Sequence, residues 1–227
     1  MKKSLPFLCL SIAGIALSGC SFSITRIAKA SPISEATWNN IFSAKYIALE
    51  ANFSFEIVLE DDSFTRTMVG EISSGKHHLV MTTTRQSEDD VQEVYAELSQ
   101  NQQDEDMAST TVYRKEGESF VKTEPLDMTF ESIVRDSEWI YGFAFKDFAY
   151  SNDSASYKCQ SLDSDSVKMG SIGKKFYFVN LEFQFKDDFF SSFSYSFGTS
   201  QEGPYTSAKG SFSKLGKTSV TLPNVSA

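Results

Sequence analysis

Hydrophobic and polar positions alternate most sharply near the C-terminal end of the chain. Tyr177, Val179, Leu181, Phe183 and Phe185 alternate there with Phe178, Asn180, Glu182 and Gln184. Period two marks a half-buried strand, because successive side chains leave opposite faces of a sheet. After Lys186-Asp187-Asp188 the chain returns as Phe189, Phe193, Tyr195 and Phe197, interleaved with Phe190, Ser192, Ser194 and Ser196. The pattern predicts a hairpin with one aromatic face and one nearly all-polar face, Phe190 falling on the polar side.

The same period runs from Asn52, where Phe53, Phe55, Ile57 and Leu59 alternate with Asn52, Ser54, Glu56 and Glu60. Asp61-Asp62-Ser63 is turn chemistry, so Phe64–Ile72 and Lys76–Thr84 are expected as the second and third strands of a meander. Gly70 marks a bulge or bend in the second. Thr110–Arg114 and Ser119–Thr123 form a hairpin around Glu116-Gly117. Two further strands, around Phe148–Tyr150 and Tyr157–Cys159, flank the turn residues Ser151–Ser154. A last strand is expected over Ser219–Leu222, ended by Pro223.

Helical spacing occurs in three places. Ser34 is an N-cap candidate, with Glu35 in the first turn and Ile33 and Trp38 at the staple positions. Trp38, Ile41 and Phe42 share one face, and the helix should end near Ser43 or Ala44. Leu126, Phe130, Ile133, Val134 and Tyr141 form a second stripe, with Gly142 as a stop. Between Gln86 and Ala108 the signals conflict. Val91, Val94, Tyr95 and Leu98 fit a helix, whereas the neighbouring meander favours a strand. The stretch is assigned as a helix or an irregular excursion.

The first 20 residues follow different rules. Lys2 and Lys3 precede an apolar run of 13 residues, Leu5 to Leu17. A transmembrane helix needs about 20 apolar residues, so this run is an export signal rather than a span. It ends in Leu17-Ser18-Gly19-Cys20, which resembles the lipobox of bacterial lipoproteins. The resemblance implies that Cys20 takes a diacylglycerol by a thioether. Cleavage then falls between Gly19 and Cys20, where small residues leave the backbone open to the peptidase. Two acyl chains on one residue, at about 0.8 kcal/mol per buried CH₂, hold a protein at a membrane where one chain does not. The localisation implied is the extracytoplasmic face of the cell membrane.

Charge and cysteine content narrow the function. With Lys2 and Lys3 removed, 19 basic and 30 acidic residues leave a net charge of −11. That argues against nucleic-acid binding, which selects for basic patches. Cys9 leaves with the signal and Cys20 is committed to lipid, so Cys159 has no disulfide partner and is expected as a small buried apolar residue. The 208 residues from Cys20 onward are enough for one domain held by its core alone.

No catalytic or metal constellation emerges. His77 and His78 are adjacent, so a strand sends them to opposite faces, and both are expected at the surface. Ser211-Phe212-Ser213-Lys214 matches S-x-x-K, but Lys217-Thr218-Ser219 lies far too close to serve as the second box of a penicillin-recognising enzyme. Asp163 and Asp165 begin like a calcium loop, but Val167 occupies the third ligand place. The carboxylate pairs Asp61-Asp62 and Asp187-Asp188 sit in turns. No enzyme, metal or cofactor is expected.

Trp38, the run Val112–Gly117, Lys186-Asp187-Asp188 and Leu222-Pro223 together resemble a pattern of surface lipoproteins related to the half-barrel of lipoprotein carriers. The resemblance implies a mainly β (α+β) fold: a curved antiparallel sheet or half-barrel with two or three short helices. Its parts are a signal peptide over 1–19, a tether over 20–33 and one domain over 34–227. It also implies a concave cavity for an apolar or lipid-like ligand, walled by Tyr177, Val179, Leu181, Phe183, Phe193 and Tyr195. The rival is a structural or interaction protein with the same aromatics packed as plain core. The anchor is testable by itself. Cys20→Ala should block lipoprotein processing and release the protein from membranes in a fractionation; an alanine variant still processed and retained would refute the lipobox reading.

Overall fold

The structure is a computed structural model that describes residues 32–136, 142–164, 176–186 and 189–225. The export signal, Gly19, Cys20 and most of the tether lie outside the described residues, as do Tyr141, Asp165, Asp187 and Asp188. The described chain forms one 12-stranded antiparallel sheet, open rather than closed into a barrel. Short helical segments and a crossing connection fill its inner side.

The N-terminal meander consists of β1 (Asn52–Glu60), β2 (Thr65–Ser73), β3 (Lys76–Arg85), β4 (Glu88–Gln100), β5 (Met107–Glu116), β6 (Ser119–Lys122) and β7 (Leu126–Thr129). The C-terminal meander consists of β8 (Ala149–Ser151), β9 (Ser156–Ser164), β10 (Phe176–Lys186), β11 (Phe189–Gly198) and β12 (Thr206–Ser213). The spatial order is β6-β5-β4-β3-β2-β1-β12-β11-β10-β9-β8, with β7 beside β5. The two meanders therefore meet at β1 and β12, paired from Ser54↔Ser213 to Glu60↔Ser207. The outermost strands β6, β7 and β8 have four, four and three residues. Short edges offer little template for unwanted pairing.

This topology sets a problem for the connection from β7 to β8, which must pass from one edge region of the sheet to the other. It does so across the inner side. Helix α2 (Phe130–Asp136) packs Phe130 and Ile133 with Ala48, Leu98 and Ala108. Beyond it Phe143 and Phe148 join the main aromatic cluster. The N-terminal helix α1 (Glu35–Ile41) clamps this crossing in place. Ser34 caps it, its Oγ accepting from the Thr37 N–H at 3.1 Å, as expected. Trp38 is fully buried, and the rings of Phe42, Phe145, Phe148, Tyr157, Phe183 and Phe185 surround it at centroid distances of 4.8–5.8 Å. Its indole N–H donates to the Phe143 carbonyl at 2.7 Å. The Tyr157 hydroxyl donates to the Ile33 carbonyl at 3.1 Å, fixing the entry to the helix. Apolar burial holds these elements together, and the two hydrogen bonds keep the enclosed polar groups satisfied.

Five expectations change. Residues 86–108 are not a helix but the whole of β4, the loop after it and the start of β5. Val94, Ala96 and Leu98 face inward and Val91, Glu93 and Tyr95 outward, so the spacing of four apolar residues mixed two faces. Val91 is 60% exposed, because the first half of β4 projects beyond the core. Leu126 belongs to β7, and only Phe130 onward is helical. A π-helical turn, Tyr46–Glu50, lies between α1 and β1 where no element was expected. The run 219–223 is not a strand: its backbone follows an irregular path after β12. Gly70 makes no bulge, since the β1–β2 register runs unbroken past it. A Cβ there would strike the Phe55 ring, and one at Gly210 would strike Phe193. At each site an aromatic ring lies across the neighbouring strand.

Phe183→Ala and Trp38→Ala should each lower stability by about 3–5 kcal/mol in urea titration. Gly210→Ala should cost about 1–3 kcal/mol through overpacking against Phe193. A Gly210→Ala midpoint equal to that of the unaltered protein would mean that the ring does not lie on β12.

Candidate functional site

The residues expected to wall a pocket do not all share one face. Asn180 adopts a left-handed φ of 55°, and the β10–β11 register shifts between Val179 and Glu182. This irregularity reverses the alternation before it. Leu181 and Phe183 face inward as expected, but upstream the inward residue is Phe178, 1% exposed, rather than Tyr177 or Val179. A second shift falls between Gln184 and Phe185, opposite Ser191. It turns Phe190 inward with Phe193 and Tyr195, so Phe190 is core rather than polar-face. Phe183 meets Trp38, Phe42 and Phe143, and Tyr195 meets Phe143 and Phe178. Burial raises the Tyr195 phenol pKa, so it stays protonated. Of the six predicted wall residues, Leu181, Phe183, Phe193 and Tyr195 are thus brought together, and Tyr177 and Val179 are not among them.

The outer side of the sheet carries a groove of about 620 Å³. Antiparallel pairing aligns residues into rows across strands, and two adjacent rows make its base. One row runs Ser213–Ser54–Glu71–His78 across β12, β1, β2 and β3. The next runs Ser211–Glu56–Val69–Val80. At strand spacings of about 4.8 Å the patch is roughly 15 Å wide. Val69 and Val80 give it an apolar centre, with hydroxyls and charges around them.

One wall rises where the chain leaves β12. Lys214, at φ 52°, reaches back over β1 to Glu71, Nζ to Oε1 2.9 Å. Glu71 also accepts from the Ser54 hydroxyl at 3.0 Å. The Lys214 hydrogen bond, joined by Ser54, holds the Glu71 carboxyl below its ordinary pKa against the opposing effect of burial. Asn52 fastens the following segment: its side-chain oxygen accepts from the Thr218 N–H at 2.8 Å and its amide donates to the Thr218 carbonyl at 3.1 Å. These bonds explain why 219–223 lies close to the domain without joining the sheet.

The opposite wall is His78. Its ring stacks on Tyr95 at 4.1 Å and 11°, and its Nε2 lies 3.2 Å from the Glu93 carboxylate. Lys115 donates to the other Glu93 oxygen at 2.8 Å. That ammonium first, and His78 after it, lower the Glu93 pKa. Phe120 meets the Tyr95 ring edge-on. Neither histidine is therefore fully exposed, contrary to expectation, although they do lie on opposite faces.

His77 points inward, its Nε2 2.9 Å from the Ala48 carbonyl in the π-helical turn. Desolvation pushes its pKa down to about 4, and the carbonyl offsets only part of this. Cys159 is half-buried; burial raises its thiol pKa, and Sγ donates to the Ser161 carbonyl at 3.2 Å. Ser211 and Lys214 do lie together, but Lys214 is committed to Glu71. No cluster of metal-ligating residues occurs among the described residues.

No protein-family model matches the chain, and no curated protein does either. Sequence reasoning missed the groove because its residues come from four strands. Glu71 and Lys214 are 143 positions apart. The one local signal was the outward half of each alternation, where Ser54, Glu56, Ser211 and Ser213 appear as ordinary polar positions.

The inward histidine gives a pH signature. The folded chain resists protonating His77, whereas the unfolded chain takes up a proton near its ordinary pKa of about 6.5. His77 therefore costs nothing above that value and destabilises the fold as pH falls toward 4, by about 3 kcal/mol at most. The ordinary carboxylate range lies below most of this window. Urea midpoints should fall between pH 6.5 and 4.5, and His77→Gln, which keeps a donor for Ala48, should flatten that slope. An unchanged slope would assign the dependence to other groups.

Proposed function

We propose that this protein is a lipid-anchored, non-enzymatic recognition protein on the extracytoplasmic face of a bacterial membrane. Its aromatic residues form a filled core, and it acts through the outer side of its sheet. Cys20 anchors it, and the segment 20–33 spaces the domain from the bilayer.

The observation that carries this reading is the burial of Trp38 inside a ring of aromatics. A carrier of acyl chains needs its concave side open to the ligand. Here α1 and the crossing connection bring Trp38, Phe42, Phe143 and Phe148 to the side where such a ligand would lie. The acidic balance supports a partner other than nucleic acid. The outer groove, with hydroxyls, carboxylates, an ammonium and an apolar centre, supports recognition there.

A dye titration separates this reading from an apolar-ligand cavity. An environment-sensitive hydrophobic dye should show no saturable binding to the folded protein. Leu181→Trp should overpack the core and cost about 1–3 kcal/mol. Saturable dye binding that Leu181→Trp abolishes without loss of stability would reinstate the cavity.

A further inference from the structure

We propose that the outer groove between Lys214 and His78 binds a short, uncharged oligosaccharide; the proposal rests on the reading that the protein acts through this face. A sugar presents hydroxyls at its edges and C–H groups on its faces. The groove is complementary to both. Ser211 and Ser213 place hydroxyls along one side, each able to donate and accept, and Ser54, whose proton goes to Glu71, is left as an acceptor. Glu56 and Glu71 supply carboxylate acceptors, and Lys214 supplies donor hydrogens. Val69 and Val80, paired across β2 and β3, give an apolar floor for C–H groups.

His78 completes the match. Tyr95 covers one face of its imidazole and lies behind it, outside the groove lining. Glu93 fixes the ring edge. The ring is thereby held upright as a wall, its remaining face toward the groove, where the C–H face of a sugar ring can pack.

Charge argues against the alternatives. The Glu71–Lys214 pair is internally neutralised, so an anion gains no free cation from it and meets Glu56 beside it. A cation finds in Glu56 an exposed carboxylate, and an exposed ion pair contributes little. The open groove, about 620 Å³ in volume, has room for a di- or trisaccharide lying along the sheet.

The test uses the full chain in detergent micelles. Maltotriose, cellotriose and N,N′,N″-triacetylchitotriose are titrated with saturation-transfer NMR, with spermine as the charged control. At least one trisaccharide should saturate, with a dissociation constant of about 1 mM or tighter. Val69→Trp fills the floor from a position already 49% exposed, so folding should be unaffected, and it should weaken binding at least tenfold. Lys214→Met should weaken it too. Raising salt should change little. Failure of all three sugars to saturate overturns the proposal, as does sugar binding indifferent to Val69→Trp. Salt-sensitive spermine binding that Val69→Trp removes, in the absence of sugar binding, also overturns it and makes the groove a cation site. The dye titration is independent of these outcomes, so a failed sugar and a failed filled-core reading are told apart.

Discussion

The structure depends on keeping a polar backbone satisfied where it crosses an apolar interior. The strand order places β7 and β8 near opposite edges of one sheet, so their connection crosses the inner side. A peptide carbonyl enclosed there without a partner is costly. Trp38 answers that for Phe143, giving its indole N–H to the carbonyl and its ring to the surrounding aromatics. The Phe42 carbonyl similarly accepts from the Gly142 N–H at 3.3 Å. Helix α1, the crossing connection and strands β9 and β10 converge on this one side chain. An open sheet thereby gains an interior from both sides of its strand order.

The two irregularities in the β10–β11 hairpin serve the same end. A strictly alternating pair would divide its aromatics between the two sides of the sheet. The left-handed residue at Asn180 and the shift beside Ser191 turn Phe178 and Phe190 inward with Phe183, Phe193 and Tyr195. The outer side is left with Ser192, Ser194, Ser196 and Glu182, continuous with the serines of β12. The aromatic core and the hydroxyl-rich exterior are thus joint consequences of these two backbone irregularities.

Local chemistry was legible in the sequence, and cross-strand chemistry was not. Ser34, the Glu116-Gly117 turn and the β1–β3 meander were readable because each depends on neighbours in sequence. The stretch 86–108 was misread because its first half projects beyond the core, so burial does not sharpen its alternation. The bulges at Asn180 and Ser191 have no composition signal; their positions follow from pairing. The strand-like run at 219–223 is held only at its start, where Asn52 binds the Thr218 backbone, and by burial of Val220, not by a ladder. The groove was the least legible feature, since its rows exist only once four strands are in register.

The pairing of β1 with β12 also governs how the chain reaches this state. Residues 52–60 cannot be completed on one side until residues 206–213 have been made. The middle of the sheet is thus its longest-range contact, while both outer parts are built of local hairpins. Closing so large a loop carries an entropic cost before any contact repays it, and folds dominated by such pairings assemble slowly. Each meander is able to form its own hairpins early, but β1 then waits with an exposed edge. That edge is nine residues long with one apolar face, a template that recruits strands from other chains. The final strand is therefore a seal as well as a structural element, and a chain truncated before Thr206 would be prone to aggregate through the unsealed edge of β1.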